Sequence, residues 1–195
     1  MITDQNYKAA AARIGCEPAA VRAVDQVEAP GGGFDSSGRV IILFEPYVFY
    51  KELRKAGIDP TPYLKQFPDL VSASWNPNLY GPGGAKQWNK LNAAIKIHKT
   101  AAEKSASYGR YQILGQNFRA AGYDNVDLMI EDYQKGEEKQ LNSFVNYIMN
   151  NQLDDELRNK DWKSFARQYN GAYYWKNQYD IKIKRAYENA KKTGL

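Results

Sequence analysis

Glu28 stands where a carboxyl is awkward. It ends the apolar pattern of "VDQVE", with Val21, Val24 and Val27 along one side, and Pro30 and three glycines follow at once. At a helix C-terminus the dipole disfavours negative charge, and apolar neighbours withhold water from an acid. Both effects favour the protonated form, so the position predicts a glutamic acid that keeps a proton near neutral pH. Such a group suits cleavage of a glycosidic bond, in which the leaving oxygen takes a proton as an oxocarbenium-like centre develops. The plainer reading is a solvated acid at a helix end.

Two further segments carry the parts of a sugar site. "SASYGRYQILGQNF", residues 105 to 118, sets Tyr108 and Gln112 around Gly109, and "ARQYNGAYYWKNQYD", residues 166 to 180, sets Tyr169 and Asn170 before Gly171. Aromatic faces stack on pyranose rings, and amides hydrogen-bond hydroxyl and acetamido groups. Structural readings stand beside these: Tyr108 and Gln112 as loop supports, and Tyr169 and Asn170 as a helix C-cap before glycine. Glu45 closes the apolar run from Val40 to Phe44 and reads either as a second catalytic carboxylate or as a structural hydrogen-bonding group. Asp35, in a Gly/Ser turn, reads as a turn former. His98 reads as a hydrogen-bonded core histidine.

The elements that must hold these groups are mostly helical. A helix over 4–14 stops at Gly15, and a second begins near Pro18 and ends at Glu28. "GGFDSSGRVIILFEP" predicts a loop, a turn and one strand-like run, a hairpin and not a full sheet. "YVFYKELRKAG" gives a helix closed by Gly57, while Asp59 to Gly84 reads as loop with short turns. Trp88, Leu91, Ile95, His98 and Ala102 then repeat at helical spacing. Helices follow over about 137–150, from an Asp161 cap to Gly171, and along Trp175, Tyr179 and Ile183. With no internal repeat and no linker composition, residues 1–195 read as a single catalytic domain.

Composition narrows the chemistry. One cysteine, Cys16, and one histidine, His98, exclude an intramolecular disulfide, paired-thiolate metal sites and multi-histidine zinc sites. The sequence implies no metal or organic cofactor. The 27 Lys+Arg against 22 Asp+Glu give +5, but the basic residues are scattered apart from "IKIKRAYENAKK", which reads as a solvated face and not a nucleic-acid stripe. "MITDQNYKAA" lacks the form of a signal peptide and no run reaches membrane-span length, so the sequence predicts a cytoplasmic protein with no stable membrane insertion.

Taken together, "VEAPGGGFDSSGRVIILFE", "SASYGRYQILGQNF" and "LRNKDWKSFARQYNGAYYWKNQYDIKIKRAY" resemble the corresponding segments of the phage-type N-acetylmuramidases, endolysins with a lysozyme-like fold. The resemblance runs from about Ala9 to Tyr187. It implies a mainly α (α+β, lysozyme-like) chain, a helical domain with a small β-hairpin lobe and a cleft between the lobes. The implied reaction is cleavage between N-acetylmuramic acid and N-acetylglucosamine, with Glu28 as the general acid. The implied partner is the peptidoglycan glycan strand, met by a monomer released from the cytoplasm to the periplasm of a host cell. Ala29 and the pair Pro46-Tyr47 depart from the family pattern, whereas Glu28 and Glu45 keep it. "YGRYQI" and "YNG" also resemble motifs of soluble lytic transglycosylases, which leave anhydro-muramyl ends. A non-catalytic glycan-binding protein on the same fold is the rival from outside the enzymes.

Overall fold

The computed structural model describes residues 1–194, and the chain divides into two compact units. One is made of Met1–Gly32 and the stretch from Gly136 onward; the other is Gly33–Lys135.

The first unit opens with α1 (Asp4–Ile14), whose start is fixed by a reciprocal cap. The Thr3 hydroxyl accepts the Asn6 N–H, and the Asn6 side chain accepts the Thr3 N–H at 2.8 Å. Gly15 ends the helix in the left-handed region, φ 79°, which only glycine enters without strain. Cys16 follows in the link, half-buried, with burial pushing its thiol up to about 11. Next, α2 (Pro18–Glu28) buries Ala19, Ala20, Val21, Ala23 and Val24. Asp25 is buried with them because the Tyr7 hydroxyl of α1 donates to it at 2.6 Å, which answers the cost of desolvating an acid.

In the second unit, the Asp35 carboxylate accepts the Ser37 and Arg39 N–H groups at 2.9 and 3.0 Å, the turn-forming role its setting predicts. Phe34 and Val40 bridge across that turn, and β1 is only Ile42–Phe44. There follow α3 (Pro46–Lys55), α4 (Thr61–Gln66), a 3-10 turn at Pro77–Leu79, α5 (Ala85–Ile95) and α6 (Lys99–Lys104). The predicted helical spacing from Trp88 to Ala102 is therefore broken. His98 lies between α5 and α6, half-buried, and its Nδ1 accepts the Ala101 N–H at 3.1 Å as the N-cap of α6, not as a residue of a helical core stripe.

Two strands absent from the sequence reading complete a sheet. β2 (Ala106–Tyr108) pairs antiparallel with β1, Ile42 opposite Tyr108 and Phe44 opposite Ala106, and with β3 (Ile113–Leu114) on its other side. The next residue, Gly115, packs so closely that a Cβ there would lie 2.2 Å from the Glu103 carbonyl oxygen. A 3-10 turn over Gly115–Asn117 leads on to α7 (Val126–Tyr133).

The chain then returns to the first unit through α8 (Glu137–Asn150), α9 (Asp154–Asn159), α10 (Trp162–Asn170) and α11 (Tyr179–Lys192). Asp161 caps α10 by accepting the Ser164 N–H at 3.0 Å, and Gly171 closes it, as the sequence predicts. Trp175 does not begin the last helix; it lies in a 3-10 turn, Tyr174–Asn177, with its ring exposed. α11 packs along α2, and α1 sits against both α2 and α8. α11 is also tied to the α1–α2 link, where the Tyr187 hydroxyl donates to Glu17 at 2.7 Å. Among the described residues, no helix is long and apolar enough to cross a membrane.

Candidate active site

Glu28 is the last residue of α2, and its carboxyl meets the last residue of α10. The Asn170 Nδ2 donates to both carboxyl oxygens, 3.0 Å to each. Burial pushes the Glu28 carboxyl up to about 7, while the Asn170 hydrogen bond pulls it down. The two influences have distinct physical meanings. Burial penalises the ionised form, whereas the amide steadies the charge once the proton has left.

The position that looks unfavourable in sequence is thus half-buried in structure, and burial accounts for the proton it keeps. The Asn170 Oδ1 is buried without a hydrogen-bond partner, so the amide is committed on its donor side alone. Tyr179, the first residue of α11, lies within electrostatic reach. Burial, and then the Glu28 charge, hold its hydroxyl above the ordinary value. The sequence marks Tyr179 only as a helical position, because nothing local signals that α11 starts beside α2.

The neighbouring Tyr169 belongs to an aromatic cluster. Its ring stacks on Phe165 with centroids 5.4 Å apart, and it meets Phe144 and Tyr147 edge-on at 5.8 and 6.0 Å. Half-buried, it braces the end of α10, where Asn170 stands.

The second unit holds the remaining sequence candidates. Tyr108 is 0% exposed, and its hydroxyl donates to the Glu103 carbonyl at 2.9 Å. It lies on the central strand of the sheet and presents no face on which a sugar can stack. Gln112 is exposed and sits in the left-handed region at φ 47°; its Nε2 donates to the Gly109 carbonyl at 2.8 Å and so closes the β2–β3 turn. In this structure both side chains hydrogen-bond to nearby backbone carbonyls, Tyr108 to Glu103 and Gln112 to Gly109.

Glu45 is half-buried just before α3. The Tyr80 hydroxyl donates to its Oε2 at 3.2 Å, and the Ser107 hydroxyl to its Oε1 at 3.3 Å. Burial raises its carboxyl, against the lowering effects of these two hydroxyls and of the Lys51 charge. Tyr80 and its brace Gln87 escape a sequence reading, because their partners lie 35 to 43 residues away along the chain.

A glycosidic bond is broken by a proton delivered from a group of the Glu28 kind, and comparison with known proteins points to the same chemistry. The protein is a glycoside hydrolase. Residues 17–191 match the muramidase family, described as N-acetylmuramidase. A crystal structure of a Burkholderia AP3 phage endolysin superposes with a TM-score of 0.90 at 34% sequence identity, covering 98% of this chain and 72% of that one. No curated protein matches. The chain belongs to the N-acetylmuramidase family, its fold is the mainly helical α+β lysozyme-like one, and its substrate is peptidoglycan.

Proposed function

We propose that the protein hydrolyses the bond between N-acetylmuramic acid and N-acetylglucosamine, with Glu28 as the general acid. The observation that carries this reading is a carboxyl pushed up to about 7 by burial and gripped on both oxygens by one amide. In its protonated state Glu28 gives its proton to the leaving glycosidic oxygen as the sugar C1 takes on oxocarbenium character. Asn170 then stabilises the carboxylate that remains, and water completes the cleavage at C1. Likeness to the Burkholderia phage endolysin supports a role as a phage lysin; action as a monomer on glycan strands in the host periplasm is part of the same proposal.

Digestion of purified sacculi followed by mass spectrometry of the new ends tests the reaction. Muramic acid reducing ends are expected. Glucosamine ends or released peptides would overturn the assignment, and anhydro-muramyl ends would replace hydrolysis with transglycosylation.

Asn170→Ala separates the two influences on Glu28. Loss of the lowering hydrogen bond raises the carboxyl further above its ordinary value, so the alkaline limb of the rate profile should move to higher pH. The carboxyl also loses its grip, and a loss of about ten- to a hundredfold in kcat/KM at neutral pH is expected from misplacement alone. A full pH profile of turnover reads both. An unmoved alkaline limb would mean that the amide does not govern the Glu28 proton.

A further inference from the structure

We propose that Glu52, Lys55, His98, Thr100 and Lys104 form a pocket on the second unit that binds the free C-terminal carboxylate of a peptide, in peptidoglycan the end of an uncrosslinked stem peptide. The stem peptide as its source rests on the peptidoglycan reading above. The carboxylate itself follows from the pocket alone.

The cavity lies between the end of α3 and the start of α6 and holds about 130 Å³. That is the room of about four waters at ~30 Å³ each, enough for a carboxylate and one small residue and too little for a hexosamine with its acetamido arm. Glu52 forms part of the wall and is 5% exposed. Lys55 Nζ donates to its Oε1 at 2.5 Å, and the other carboxyl oxygen has no hydrogen-bond partner among the described residues. An acid so far from water ordinarily has its lone pairs filled, so the bare oxygen marks a place for a donor.

Three more groups line the cavity with donors that no described residue accepts. His98 uses Nδ1 to accept the Ala101 N–H at 3.1 Å, so the proton of the neutral ring is on Nε2, which can only donate. The Thr100 hydroxyl and the Lys104 ammonium join it; Lys104 rests over the Phe118 ring at 5.6 Å and, among the described residues, pairs with no acid.

Charge selects the ligand. Two ammoniums against one carboxylate leave the pocket with one positive charge in excess. A cation is repelled and a zwitterion leaves the excess standing, whereas a peptide C-terminus cancels it. The peptide carboxylate takes the donors of Lys104, His98 and Thr100, and the amide N–H of the same terminal residue donates to the bare Glu52 oxygen. Inorganic phosphate supplies the charge without an N–H for Glu52.

The test uses the full chain and acetyl-D-Ala-D-Ala, which has no glycosidic bond to lose, followed by calorimetry and by the imidazole resonances, unambiguous because His98 is the only histidine. The peptide should shift those resonances. Amidating its C-terminus should weaken binding at least about tenfold, the low end for a hydrogen bond to a charged group. Lys104→Ala should do the same, and Lys104→Arg should recover most of the loss. His98→Asn keeps an oxygen to cap α6 but loses the Nε2 donor, so Kd should rise while the urea midpoint stays in place. On intact sacculi, excess peptide should release part of the bound Glu28→Gln chain, which attaches without consuming the wall.

The pocket is overturned if the peptide does not bind, if the amidated peptide or inorganic phosphate binds as tightly, if binding leaves the His98 resonances unmoved, or if Kd is indifferent to Lys104→Ala. No release from sacculi would overturn the stem peptide as its ligand. The sacculus digest is read independently: muramic acid ends without peptide binding would sink the pocket alone, and wrong ends with Lys104-dependent peptide binding would sink the cleavage assignment alone.

Discussion

Glu28→Gln lowers the rate of sacculus cleavage by at least about a hundredfold, the lower end of what general acids contribute, and the protein stays folded. The glutamine keeps the shape and an oxygen for the Asn170 amide, but has no proton to give. The same variant has a second signature, in stability. Buried Glu28 holds its proton to about pH 7, against 4.5 for an ordinary glutamate. Below pH 4.5 both the folded and the unfolded chain carry the proton, and the site costs nothing. Between 4.5 and 7 the unfolded chain ionises first, so stability falls as pH rises, by an upper limit of about 3 kcal/mol in all. Glutamine does not titrate. Relative to the parent, the variant should therefore gain stability above pH 7 and lose that advantage at pH 4, as read by urea unfolding at the two values. Cleavage at the parent's rate would remove Glu28 from the chemistry, and a stability difference that does not change with pH would remove the buried charge.

Gly115→Ala should be the most damaging single methyl in the second unit. The new Cβ would lie 2.2 Å from the Glu103 carbonyl oxygen and 3.0 Å from the Lys104 Cα, both of them backbone atoms that no side-chain rotation can clear. The same carbonyl accepts the hydroxyl of fully buried Tyr108. Moving it would disturb the end of α6 and the central strand together. A loss of about 3 kcal/mol or more is expected, at the upper end for overpacking, and thermal unfolding reads it directly. Gly38→Ala, with open space around its Cβ but φ 74°, is the control. It should lose only about 1 kcal/mol, from backbone conformation alone. Equal losses in the two variants would show that the Gly115 contact relaxes without penalty.

What the sequence reveals of this fold follows the range of the forces involved. Thr3, Gly15, Pro18, Asp161 and Gly171 act on backbone within a few residues, so α1, α2 and the limits of α10 can be read directly. β2 and β3, at three and two residues, are too short for alternation to register; they exist because residues 42–44 lie alongside. The break between α5 and α6 hides behind a spacing that stays helical from Trp88 to Ala102, and its cap is a histidine where Ser, Thr, Asp or Asn would have announced it. The division into two units has no linker to mark it, since the chain changes unit at Gly32–Gly33 and again at Lys135–Gly136.

The site divides along the same line. Glu28 is legible because its helix end and its apolar neighbours are local, and both act on its proton in the same direction. Tyr108 looks like a sugar platform until its strand is known to be the central one, a fact that belongs to pairing and not to residue type. Tyr80 sits in a stretch that composition describes only as loop, and Gln87 lies in the first turn of α5 just beyond it. Their meaning comes from a carboxyl and an amide hydrogen 35 and 43 residues away in sequence.

Cys16 has a kinetic consequence. A thiol held near 11 instead of 9.0 is about a hundredfold poorer in thiolate at any working pH. In an oxidising compartment it is slow to enter mixed disulfides or to couple two molecules, so the native enzyme is protected from oxidative dimerisation without a second cysteine. Unfolding removes the burial and restores ordinary reactivity. Modification by an aromatic disulfide at pH 8 is therefore a clock for opening of the α1–α2 link, and its rate in rising urea reports how often that link is exposed before the rest of the molecule gives way.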